Sequence, residues 1–196
     1  QLQLDFVVDQ DATDGILAEY KVLYVTDPHL HSASAAAIAA WVKKGGRLLA
    51  TAGAGMFDEY NQPNKVFREL LGVDQSALEA PAAKQIGYIK QDLPFVDPVD
   101  TVTWKHGDRT VAIPAFGACS RFAVKGAEVI GTFSDGTPAI SRRAVGTGTA
   151  STASAAVQTG PPAGAVNAWL TTDAAQNFLA ILAFAGQEAA DQVAGN

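Results

Sequence analysis

The stretch Tyr20–Val73, YKVLYVTDPHLHSASAAAIAAWVKKGGRLLATAGAGMFDEYNQPNKVFRELLGV, decides how the chain is read. KVLYVT (21–26) is an almost unbroken apolar, β-branched run, which suits a strand covered on both faces, as in a parallel sheet. Ser32 or Ser34 can then cap a helix running to Lys44. Ile38, Trp41 and Val42 recur at helical spacing and predict its inner stripe. Lys43 and Lys44 suit the negative C-terminal end, and Gly45-Gly46 stops it. RLLAT (47–51) is the next strand. A loop over 52–64 leads to a short helix, Lys65–Leu71, stopped by Gly72. Strand, helix and strand with short joints imply right-handed crossovers and parallel pairing.

Outward from this block the pattern changes. Leu2–Val8 is a further β-rich run. Residues 74–100, rich in Ala, Pro and Gln, show no period and are expected to form an irregular insertion. Short β runs follow at 101–105, 109–113, 119–124, 127–133, 138–143 and 149–157. They are separated by the turn signals His106-Gly107-Asp108, Lys125-Gly126, Ser134-Asp135-Gly136 and Gly146-Thr147-Gly148. A C-terminal helix is expected, with Asp173 as cap, Gln176 three residues on, and Phe178, Ile181 and Leu182 packing inward. Gly160-Pro161-Pro162 is a loop. One domain spanning 1–196 is the expectation, and Gln1 at the start makes the chain read as a fragment of a larger one.

Composition narrows the function. Hydrophobic residues make up 48% and charged residues 17% of the chain, a globular balance. The net charge of -6, without a basic stripe, argues against nucleic acid as a partner. No apolar run reaches the roughly 18 residues that a membrane span needs. The single cysteine, Cys119, allows no internal disulfide; its place in a β run suits a buried structural residue.

Two blocks carry a resemblance. Tyr20–Val73 has a strand after "YK", a helix ending in a Gly pair, a Gly loop with Asp-Glu, and "RELLGV". Ala127–Thr152, AEVIGTFSDGTPAISRRAVGTGTAST, has a strand, an Asp-Gly turn, a "PA" strand and a Gly-x-Gly turn into a last strand. In this order they resemble the β-galactosidase trimerisation domain of family 42 glycoside hydrolases, in the class I glutamine amidotransferase-like superfamily. The resemblance implies a flavodoxin-like or glutamine-amidotransferase-like three-layer α/β sandwich, with a mostly parallel central sheet and an additional antiparallel β meander. It also implies a non-catalytic accessory role: subunit contacts as a homo-oligomer (dimer or trimer), a catalytic domain preceding this one, and possible walling of a carbohydrate active site.

Enzymes of that superfamily place a cysteine on a tight strand-to-helix turn, and by the resemblance Gly53 stands in its place, without a thiol. No Gly-x-Ser-x-Gly elbow is present. No catalytic residue, cofactor or metal is therefore expected. The rim candidates are Asp27, His29, His31, Gly53, Asp58 and Glu59. Asp27, His29 and His31 alternate after a strand end, where α/β folds bind ligands. A zinc site would want three such ligands together at bonding distance, but Pro28 bends the run. Asp58 and Glu59 could do acid–base work if suitably spaced, or simply serve as charges at a helix start. Trp41 reads as core; Trp104 and Trp169 could pack or stack on sugar faces. The alternatives to the accessory role are a stand-alone carbohydrate or small-ligand binding domain, or a degenerate amidotransferase-like enzyme.

Overall fold

The computed structural model describes residues 5–79, 100–115 and 119–153. In chain order the elements are α1 (Asp9–Thr13), a 3-10 turn (Ile16–Glu19), β1 (Val22–Val25), α2 (Ser32–Lys43), β2 (Arg47–Ala50), α3 (Lys65–Leu71) and β3 (Val73–Glu79). There follow β4 (Asp100–His106), β5 (Arg109–Ala115), β6 (Cys119–Val124), β7 (Glu128–Thr132), β8 (Pro138–Val145) and β9 (Gly148–Ala153). The C-terminal helix, the Gly160-Pro161-Pro162 loop and Trp169 lie outside the described residues, as do 80–99 of the expected insertion. Its first part, 74–79, is strand, within β3. Residues 5–8 of the N-terminal β-rich run form no strand.

The sandwich expectation is overturned. Seven strands form one mixed sheet in the order β1-β2-β9-β8-β7-β4-β5, and β3 and β6 form a small antiparallel sheet. Only β1·β2 and β2·β9 are parallel. From β9 onward every pairing is antiparallel. The hairpins signalled at 106–108, 134–136 and 146–148 are there, whereas Lys125-Gly126 joins β6 and β7, which lie in different sheets and form no hairpin. The hairpins are not an addition beside a parallel sheet, because β9 inserts beside β2 and makes them the larger part of the same sheet. α2 and α3 pack on each other and both on β9, so they share one face rather than flanking the sheet on both.

The main core lies between these helices and the parallel end. Strand register places Leu23, Leu48 and Ala150 in one row facing the helices, with Val25, Ala50, Thr152 and Ser141 in the next. Ile38, Val42, Phe67 and Leu71 meet them from above, nearly or fully out of solvent. Trp41 packs against this core, half-buried. A second core holds Val102, Trp104, Ile113, Cys119, Phe133 and Ala139, so Trp104 and the cysteine are both packing residues.

Helix ends are closed by residues far away in sequence. The Gly146-Thr147-Gly148 turn sits on the C-terminus of α2: Thr147 donates its N–H (3.2 Å) and its hydroxyl (3.3 Å) to the Lys43 carbonyl. A Cβ at Gly148 would overlap the Val42 carbonyl, so only glycine allows this approach. At the end of α3, Gly72 adopts φ +66° and Arg143 of β8 donates to the Glu69 carbonyl. Each arrangement satisfies carbonyls that a helix leaves open at its last turn.

Candidate functional site at the strand-end rim

Two loops follow the C-terminal ends of β1 and β2, and the backbone zips them together. Gly55 donates to the Asp27 carbonyl, Phe57 to Pro28, and Leu30 to Phe57, each at 2.9 Å. The two loops that carry the six candidates are thus joined, with Gly53 buried at the base of the second.

The candidates do not converge. Asp27 folds back on its own loop, its carboxylate accepting the His29 N–H at 2.7 Å. The His29 ring stacks on Phe57 at 5.5 Å between centroids, and its Nε2 lies 3.1 Å from the Asn61 amide oxygen. His31 stands at the N-cap position of α2 with no capping bond from its side chain. Asp58 closes a tight turn, accepting from the Tyr60 and Gln62 N–H groups at 2.9 and 2.8 Å. Glu59 points away from it: one carboxylate oxygen accepts the Ser32 N–H at 2.8 Å and the Ser32 hydroxyl at 2.9 Å. Among the described residues no group of three His, Cys, Asp or Glu side chains gathers as a metal site.

Glu59 is therefore the cap of α2. The sequence expects Ser32 or Ser34 to accept at that end. Instead Ser32 donates to Glu59, and buried Ser34 donates to the Asp9 carbonyl at 3.1 Å, tying α1 to α2. Glu59 is held ionised below the usual glutamate range by its own backbone N–H, by Ser32 and, to a lesser degree, by the neighbouring His31. A carboxylate at a helix N-terminus also meets the positive end of the helix dipole.

Gly53 adopts φ +74° at the strand-to-loop turn. Its N–H donates to the Gln75 amide oxygen at 3.1 Å, and the Gln75 nitrogen donates to the Ala54 carbonyl at 3.2 Å. Gln75 is buried, so these pairings are internal. A Cβ at Gly53 would lie 3.0 Å from the Leu78 side chain, leaving little room for a nucleophile. The backbone donor that an acyl-transfer turn would aim at an oxyanion is engaged by Gln75. Sequence reasoning passed over Gln75, because a lone glutamine in an aperiodic segment carries no local signal. It also passed over Asn61, the one non-glycine residue with positive φ among the described residues (+57°).

The family described as "Beta-galactosidase trimerisation domain" matches residues 1–160, including the stretch between the two resembling blocks. The fold is similar to that of a β-galactosidase from a Rahnella species, with TM-score 0.59 and 20% identity over 74% of this chain and 21% of that one. It is similar also to Gan42B, a GH42 β-galactosidase from G. stearothermophilus, with TM-score 0.56 and 18% identity over 74% of this chain and 20% of that one. Cytoplasmic protein STM1381 of Salmonella typhimurium matches with TM-score 0.54 and 15% identity, over 87% of this chain and 76% of that one. No curated protein matches by sequence. The chain spans about a fifth of the length of the two β-galactosidases. On the match over 1–160, the chain belongs to the β-galactosidase trimerisation domain family.

Proposed function

We propose that this chain is an accessory assembly module of a glycosidase-type protein, associating with copies of itself and leaving chemistry to other parts of the assembly. The observation that carries this reading is the family match over residues 1–160. The rim supports it: Asp27, Asp58 and Glu59 are each committed to a backbone or capping bond, and the Gly53 turn is closed by Gln75. A general acid or base needs a reachable proton and a partner, and these carboxylates are spent on turns within their own loops and on capping α2. The test is light scattering after size exclusion across a tenfold concentration range. A stable dimer or trimer supports the reading; a monomer throughout overturns it.

A finer role is the walling of a carbohydrate site by the rim loops. It draws on the exposed polar side chains His29, His31 and Asn61, which lie on one surface. Titration with a simple galactoside, followed by the ring NMR signals of His29 and His31, tests it. Unmoved signals at millimolar sugar would count against a rim that binds sugar unaided.

A further inference from the structure

Several buried polar side chains find partners inside the protein. Ser34 donates to the Asp9 carbonyl, Asn64 donates to the Leu30 carbonyl, and Gln75 bonds twice to the Gly53 turn. Three hydroxyls do not. Ser120, Ser141 and Thr152 are 0%, 0% and 1% exposed, and none has a hydrogen-bond partner among the described residues.

The sheets bring these three to one seam. Ser141 and Thr152 stand opposite each other on β8 and β9, so their side chains leave the sheet on the same face. Thr152 lies two residues after Ala150, a core residue under the helices, so that face is the helix side. β6 packs against β8. Ser120 shares a strand face with Phe122, which joins the same core as Ala150. Its neighbour Cys119 packs in the cluster of Ala139, two residues before Ser141.

A hydroxyl buried without a partner gives up its bonds to water for nothing in return. Native structures leave few such groups, and three at one seam call for a ligand. An ion does not suit it, since the row Val25, Ala50, Thr152 and Ser141 carries no charge to offset one. Water both donates and accepts, as hydroxyls do, and buried waters typically serve polar groups that the protein leaves unpaired. We infer that a water molecule binds in this seam, bridging Ser141 and Thr152 and meeting Ser120 from the small sheet. It fastens the β3–β6 pair to the main sheet behind the rim, because Thr152 is the register partner of Ala50, three residues before Gly53. The inference is independent of the assembly reading.

The sign of one substitution tests it. Thr152→Val removes the hydroxyl with little change of shape. Loss of a dry, unpaired hydroxyl would leave the melting temperature of the full chain unchanged or raise it. Loss of a bond to a held water lowers it, by about 2–4 °C for one hydrogen bond in a chain of this size. The lowering is expected, and an unchanged or raised value overturns the inference. A crystal structure of the unmodified chain, independent of how any variant folds, should show water within hydrogen-bond reach of Ser141 Oγ and Thr152 Oγ1. The two hydroxyls bonded to each other or to the main chain, with no water between them, would equally overturn it.

Discussion

Gln75 shows how much one side chain can hold in place. Its amide carries one donor and one acceptor bond to consecutive residues of the Gly53 turn, inside the protein. Gln75→Leu would keep the size and strip both bonds, leaving a buried N–H and a buried carbonyl unpaired. Each such orphan costs about 1–3 kcal/mol, so a loss of about 2–6 kcal/mol is expected in urea unfolding. A loss below about 1 kcal/mol would mean that water replaces the amide. Nothing in the sequence announces this residue, since its partners lie more than twenty positions away. Gly72 is the opposite case: a glycine after a short helix signals its stop, and the structure places it there with φ +66°.

At the scale of elements, most strands and turns were legible because their signals are local, but β3 was read as insertion and residues 5–8 as part of a strand. The 106–109, 134–136 and 146–148 turns all close hairpins or helix ends. The α2 N-cap was not legible, because the acceptor comes from another loop. That cap makes a pH prediction. The Glu59 pKa is lowered on folding, so its contribution is full above the ordinary glutamate value of 4.5 and is lost as pH falls through the lower folded value. Glu59→Gln should flatten that part of the acid limb of a melting-temperature profile and lower stability at neutral pH. Parallel acid limbs for the variant and the unmodified chain would deny Glu59 this role. Asp74, held low by its bond to Lys125 and then by Arg68, titrates in the same direction and remains in both proteins.

For the whole molecule, what escaped the sequence was the order of strands. Local patterning shows that β1 and β2 are parallel-type strands, but not that the last described strand joins them. The fold class was misjudged at that step, with a sandwich expected where a mixed sheet runs through to the hairpins. The two ends of that sheet differ. β1, β2 and β9 lie under the helices, whereas β4 meets β7 through only Thr103↔Thr132 and Trp104↔Gly131. Local opening should therefore begin in the β4–β5 hairpin. Hydrogen exchange is expected to run faster at amides of β4 and β5 than in β2 and β9; uniform protection across the sheet would contradict a weak joint at β4·β7.

The seat of β9 between β2 and β8 has a consequence for the order in which the protein can be made. β2 ends at Ala50 and its parallel partner begins at Gly148, so roughly a hundred residues must leave the ribosome before the pair can form, a non-local contact of the kind that slows folding. Until then the nascent chain carries β1–β2 with an unpaired edge, and later a β8 with another. Both are templates for strands of neighbouring chains. A transcript truncated before residue 148 would yield a polypeptide with two sticky margins and no strand to join them, and its fate in a cell is to be held by chaperones or to aggregate.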